Sequence, residues 1–219
     1  MKTAILVDGG FYRKRAQSIF GSKTPEERAE ELNNYCWRHL KEKNITHDLY
    51  RIFYYDCAPM DKKIYHPFMK QQIDFSKTDL CIWMNTFLNE LKKKRKFALR
   101  MGQLADAQAH YSIRPAIVKK LCNGTMRFED LKEADFMLNV DQKGVDMKIG
   151  IDIASIAYKK QVEKIVLISG DSDFVPAAKL ARREGIDFVL DPMGAVIKPD
   201  LFEHIDGLRS CDKLIHNNI

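Results

Sequence analysis

Three short acidic strings carry most of the chemical promise in this sequence. They are Asp8-Gly9-Gly10, Lys143-Gly144-Val145-Asp146 and Ser169-Gly170-Asp171-Ser172-Asp173-Phe174. Each is expected to follow a β-strand, and in open α/β sheets ligands bind outside the carboxyl ends of the strands. Residues far apart in sequence can therefore share one pocket, here Asp8, Asp146, Asp171 and Asp173. Four carboxylates so placed repel one another, and without a cation some must take up protons. One or two Mg²⁺ or Mn²⁺ ions relieve that repulsion, because both accept carboxylate oxygens and keep waters for chemistry. Such a centre can activate a water and stabilise the leaving oxygen of a phosphodiester.

Each acid also has a plainer explanation. Asp8 can cap a turn whose φ freedom comes from Gly9-Gly10. Asp173 can cap a helix that starts at Phe174, with Pro176 in its first turn. One helix needs one cap, so Asp171 is harder to explain structurally. Asp146 and Asp152 both border the apolar stripe of the helix after Gly144, where an unpaired carboxylate is costly. A metal explains Asp146. Asp152 is expected to support the site by hydrogen bonding, or to form a buried ion pair with Lys143 or Lys148.

The elements that must position these residues alternate between strand and helix. Thr3–Val7, His47–Cys57, Lys164–Ile168 and Ile186–Leu190 read as strands, with weaker candidates at Phe97–Met101 and Phe136–Val140. The last of these precedes Asp146. Their apolar runs suggest strands buried on both faces of a parallel sheet. Thr24-Pro25-Glu26-Glu27 is a capping box with Pro at the first helical position, opening an amphipathic helix with Ala29, Leu32, Cys36 and Leu40 on one side. Further apolar stripes run through Leu80, Trp83, Phe87, Leu88 and Leu91, and through Val145, Ile149, Ile153 and Ile156. A last helix is predicted over Phe174–Arg183, stopped near Gly185. The pattern predicts a right-handed, doubly wound α/β fold, as a single domain over 1–219 with a basic, partly helical elaboration at about 59–135.

Composition narrows the function classes. The chain has 219 residues, 45% hydrophobic and 30% charged, which excludes a disordered chain. No stretch approaches the ~18–20 apolar residues of a membrane span, and Asp8 comes too early for a signal-peptide core, so a cytoplasmic location is expected. Five cysteines with no CxxC argue against a disulfide framework or zinc ribbon. The absence of GxGxxG, GxxxxGK[ST] and GxSxG disfavours dinucleotide binding, P-loop hydrolysis and α/β-hydrolase chemistry. Lys plus Arg number 36 against 30 Asp plus Glu, a net charge of +6 that permits a polyanionic partner. The densest basic run is Lys92, Lys93, Lys94, Arg95 and Lys96, with Arg100, Arg114, Lys119 and Lys120 beyond it. At a helix end such a run is more often a solvated cationic terminus. Tyr12, Tyr54, Tyr55 and Tyr111 could stack on bases, though aromatics in strands more often fill a core.

In their order, Ile5-Leu6-Val7-Asp8-Gly9-Gly10, Lys143-Gly144-Val145-Asp146 and Ser169-Gly170-Asp171-Ser172-Asp173-Phe174 resemble the NYN domains of the PIN-like nuclease superfamily. Tyr55-Asp56 before Pro59, Ala181-Arg182 to Gly185, and Leu208 to Asp212 are similar as well. The resemblance implies a Rossmann-like three-layer α/β/α sandwich with a mainly parallel sheet, and metal-dependent RNA cleavage. On that resemblance Asp8, Asp146 and Asp171 ligate Mg²⁺ or Mn²⁺, and Asp173 binds a second ion or orients the nucleophilic water. Asp152, Ser169 and Lys143 support them, and the basic surface from Lys92 to Lys120 holds the RNA backbone. Single-stranded DNA is a second candidate substrate, and oligomeric state is left open. Where many NYN domains carry Asn three residues after the first Asp, this chain has Phe11, which removes a polar group that could orient water or phosphate. A catalytically weak or inactive RNA-binding module on the same fold is the alternative.

Overall fold

The computed structural model describes residues 1–211; Asp212, the end of the last family-like string, lies outside them. In chain order the elements are β1 (Lys2–Asp8), α1 (Gly9–Phe20), α2 (Pro25–His39), β2 (Lys41–Glu42), β3 (Ile45–Thr46), β4 (Asp48–Cys57), β5 (Lys63–His66), β6 (Gln71–Asp74), α3 (Asp79–Lys93), β7 (Phe97–Leu104), β8 (His110–Ile113), α4 (Pro115–Cys122), β9 (Phe136–Asn139), β10 (Gln142–Lys143), α5 (Val145–Tyr158), β11 (Lys164–Ile168), α6 (Val175–Arg183), β12 (Asp187–Asp191), α7 (Pro199–Glu203) and β13 (Gly207–Leu208).

Successive residues of a strand point to opposite faces, and here both faces are apolar. Ala4, Leu6, Phe53, Tyr55, Ile165 and Leu167 pack with α5, α6 and α7. Ile5, Val7, Ile52, Tyr54, Val166 and Ile168 pack with α1, α2 and α3. The result is a three-layer α/β/α sandwich around a seven-stranded sheet ordered β10-β7-β4-β1-β11-β12-β13. All neighbours run parallel except β10, which is antiparallel to β7. The chain steps outward from β1 through β4 to β7, then returns to β11 on the other side of β1. The strand order therefore reverses between β1 and β11, the place where open sheets of this kind form a crevice. The Thr24 capping box is present in both directions, with Pro25 in the first turn of α2.

Four expectations change. The helix α1, begun directly at Gly9, is not signalled by a clear apolar stripe; its buried residues are only Gly9, Tyr12 and Ala16. Phe136–Asn139 is a strand, but it pairs with β8 in a separate hairpin and not with the main sheet. The edge strand that leads to Asp146 is instead the two-residue β10. The segment 59–135 is also not wholly an elaboration, because β7 belongs to the main sheet and α3 packs on it beside α2. What lies outside the sandwich is the β5–β6 hairpin after β4, and the β8–α4–β9 excursion after β7. Both leave the carboxyl ends of parallel strands, so they sit at the same end of the sheet as Asp8. Among the described residues no helix is long and apolar enough to cross a membrane.

Candidate active site

The register Val7↔Ile168 sets the end of β1 beside the end of β11, which brings Asp8 next to Ser169. Asp8 caps α1: its Oδ1 accepts the Phe11 N–H at 3.0 Å. The other oxygen accepts from the Ser169 hydroxyl at 3.3 Å. Ser169 is fully buried, and its Oγ accepts the Asp171 N–H at 3.3 Å. One hydroxyl thus ties the first acid to the loop that carries the next two. Asp171 in turn caps the 3₁₀ turn Ser172–Phe174, its Oδ1 accepting the Asp173 N–H at 3.0 Å. The capping role expected of Asp173 therefore falls to Asp171. The helix α6 has no side-chain cap, and the Asp173 carboxylate has no hydrogen-bond donor among the described residues. Asp146 stands in the first turn of α5, delivered by Gly144 at φ 80°. That left-handed backbone favours glycine and turns the chain sharply from β10 into the helix.

Asp8, Asp146 and Asp171 line one cavity of about 470 Å³, together with Ser169, Phe11, Gln142, Lys14 and Lys198. Asp173 is beside it, near enough that its charge acts on Asp146. Burial raises the Asp8 carboxyl above its ordinary value, and the Asp171 charge adds to this against the opposing Phe11 and Ser169 hydrogen bonds. Asp146 is also raised, first by partial desolvation and then by Asp8, Asp171 and Asp173. The four acids thus form one electrostatic cluster, at a cavity whose wall also carries Lys14 and Lys198.

That donor set suits a hard divalent cation in chemistry, since it offers only carboxylate and hydroxyl oxygens. Among the described residues, however, no three His, Cys, Asp or Glu side chains lie close enough together to grip an ion as they stand. An ion held by these acids would require the carboxylates to draw closer together than they stand.

The remaining predicted residues are scattered. Asp152 does not join the cluster and pairs with neither Lys143 nor Lys148. It accepts from the Tyr55 hydroxyl at 2.8 Å and from Arg100 Nε at 3.0 Å, on the α5 side of the sheet. Lys143 is exposed and does not line the cavity. Lys92 to Lys96 precede β7, whose start is level with Ile52 in the parallel sheet, so the run sits at the amino ends of the strands, opposite the acids. Lys93 and Lys94 are paired there with Glu90 and Glu30, and Lys96 with Asp48. This run cannot share a surface with the cavity. Arg114, Lys119 and Lys120 are exposed on and before α4, at the acid end of the sheet. Tyr12, Tyr54 and Tyr55 are core residues with no exposed surface, and Tyr111 packs against His66.

Sequence reasoning missed Lys14 and Lys198. Gly10, Phe11 and Lys14 fall on one face of α1 at helical spacing, and recognising that helix exposes them. Lys198 donates to the Ser172 hydroxyl at 3.1 Å. Its only signal was Pro199 opening α7.

Residues 68–196, more than half of the chain, match the NYN domain family. The chain belongs to this family. NYN domains are of the PIN-like nuclease type. The matched span of this NYN domain carries Asp146, Asp171 and Asp173 but not Asp8, which the fold brings to them from the central strand. Among solved structures, it resembles a protein of unknown function from Vibrio parahaemolyticus. The TM-score is 0.53 at 15% identity, covering 97% of this chain and 93% of that one, a likeness of fold alone. No curated protein matches the chain.

One stability prediction arises directly from this geometry. Asn caps helices as well as Asp does, so Asp8→Asn keeps the Phe11 bond while removing a buried charge. A raised Asp8 contributes stability in full below its ordinary value of 3.8 and loses it as pH rises through the raised value. In chelator, Asp8→Asn should therefore match the wild type near pH 4 and exceed it in Tm increasingly toward pH 7. Asp8→Ala, which loses the cap, should be less stable than Asp8→Asn by about 1 kcal/mol.

Proposed function

We propose that this NYN domain is a Mg²⁺- or Mn²⁺-dependent ribonuclease that hydrolyses RNA phosphodiester bonds. The observation that carries the reading is the convergence of Asp8, Asp146 and Asp171 on one cavity at the switch point of the sheet, with Asp173 beside it. Asp8, Asp146 and Asp171 are the residues to hold the cation. A bound ion of this kind supplies Lewis acidity, which makes water a better nucleophile and offsets charge on a leaving oxygen. Ser169 fixes the Asp8 carboxylate through its hydroxyl. The Asp173 carboxylate, which accepts no hydrogen bond from the described residues, would hold a second ion or orient the attacking water and take its proton. Lys14 and Lys198, both on the cavity wall, supply the positive charge that an RNA backbone needs.

A silent RNA-binding module is the second reading, favoured by the apolar Phe11 in the cavity wall. The two readings part on turnover. Purified protein is incubated with excess 5′-labelled total RNA, and with labelled single-stranded DNA for comparison, in Mn²⁺, Mg²⁺ or EDTA. The nuclease gives more product than enzyme in metal and none in EDTA. The binding module leaves RNA intact in every lane, with an affinity that falls as salt rises. Lys14→Ala and Lys198→Ala should each weaken RNA binding across all sequences and lower the salt slope by about one. Equivalent substitution of Lys93, at the far end of the sheet, should change neither quantity.

A further inference from the structure

A second cleft opens at the carboxyl ends of β4 and β7, between the sandwich and the elaboration. It is bounded by Phe75, Leu80, Met84, Leu104 and Leu138, so its walls come from both sides of that junction. Its volume is about 230 Å³, below the roughly 300–1,000 Å³ of clefts that hold whole drug-sized ligands. It suits one planar ring system. Three polar side chains line it, Arg13, Thr78 and Gln142, and the Thr78 hydroxyl already donates to the Phe75 carbonyl at 2.8 Å. Arg13 is neutralised by its ion pair with buried Asp56, so the cleft carries none of the strong field of the acid cavity.

The cleft neighbours the acid cavity. Gln142 lines both, and Arg13 of the cleft adjoins Lys14 of the cavity along α1. The two lie at the ends of neighbouring strand pairs, β4/β7 and β1/β11. With about 4.8 Å between adjacent strands, their centres are on the order of 10 Å apart, the scale of one nucleotide and its neighbour. An apolar slot beside a cation-and-phosphate cavity, with an amide side chain in the shared wall, has the chemistry of a nucleobase pocket. An unstacked base packs on apolar walls and offers its edge to an amide, which both donates and accepts.

We infer that this cleft takes a single unstacked nucleobase of the RNA whose backbone crosses the acid cavity, so that the substrate must be single-stranded or locally unpaired there. The inference rests on the nuclease reading for its substrate class, and its test is separate. The full chain is mixed with excess UMP, CMP, AMP or GMP in Mg²⁺, and saturation transfer from protein to nucleotide is followed by NMR. Base protons should receive more saturation than ribose protons. Leu138→Trp, which fills the cleft, should cut that transfer about tenfold, the scale of losing one base stack. Leu80→Glu should weaken it as well. Leu80 is 70% exposed at the cleft rim, so this variant folds even where Leu138→Trp does not. Lys93→Ala, at the opposite end of the sheet, should leave base saturation in place. RNA that stays uncleaved while base saturation depends on the cleft removes the nuclease and keeps the nucleobase site. RNA that is cleaved while base protons receive no saturation, or saturation that neither cleft substitution alters, overturns the nucleobase site alone.

Discussion

Replacing Asp171 by Asn should reduce metal-dependent RNA cleavage on the order of 10²–10³-fold, the scale of losing one preorganised electrostatic group from an active site. The fold should survive. Asn retains the Oδ1 acceptor that caps the Asp173 N–H, and position 171 is exposed. The Ser169 hydroxyl still receives the backbone N–H of residue 171. What disappears is one negative charge from a cluster whose charges already act on Asp8 and Asp146. Single-turnover cleavage of a labelled oligoribonucleotide, with circular dichroism of both proteins, measures the effect. Cleavage within threefold of the wild type by a folded Asp171→Asn protein would remove Asp171 from the site.

The second large effect concerns stability. Asp56→Ala should destabilise the protein by about 3 kcal/mol, because it removes the buried partner of a partly exposed Arg13 and the acceptor of a buried hydroxyl. Asp56 is 1% exposed and pairs with Arg13 of α1. It also accepts the Tyr54 hydroxyl at 2.8 Å and the Cys57 N–H at 2.8 Å. Removing it leaves the Tyr54 hydroxyl without its acceptor and the Arg13 guanidinium with the Tyr54 hydroxyl alone. The same place shows how tightly α1 is set on the sheet: a Cβ on Gly9 would stand 2.5 Å from the Tyr54 ring. Because α1 carries Lys14 and is capped by Asp8, loosening it should lower cleavage as well. Urea unfolding checks the stability, and a loss under 1 kcal/mol would show that the pair does not hold α1.

The parts of this fold legible in sequence were those with long-range apolar patterning. The run at Lys164–Ile168 is buried throughout and Asp48–Cys57 is buried from Ile52 onward, and a strand buried on both faces has no polar alternation to confuse it. The capping box at Thr24 is local chemistry and appears as written. The helix α1 was hidden because only three of its twelve residues are buried, and Tyr12-Arg13-Lys14-Arg15 looks like a solvated stretch. Its loss concealed Lys14. Phe136–Asn139 has strand character, but four half-buried residues say nothing about which sheet they join.

The acidic strings were legible for a different reason: residue type and loop position locate them, and parallel register does the rest. Partners set by tertiary contact were not legible. Asp152 finds Tyr55 and Arg100 on β4 and β7, while its near neighbours in sequence, Lys143 and Lys148, stay outside the pair. The basic run from Lys92 to Lys96 shows the same gap. Counting charges cannot tell which end of a sheet they occupy, and β7 begins where that run ends.

The proposed function stands on Asp8, Asp146, Asp171 and Asp173 forming one divalent-cation site. Titrating Mn²⁺ into chelator-stripped protein, and following the free-ion signal by electron paramagnetic resonance, tests it directly. The wild type should bind one or two ions, with Asp8→Asn and Asp171→Asn each weakening binding at least tenfold while remaining folded. Mn²⁺ uptake that is the same in wild type and both variants, or that is absent from all three, would contradict the claim.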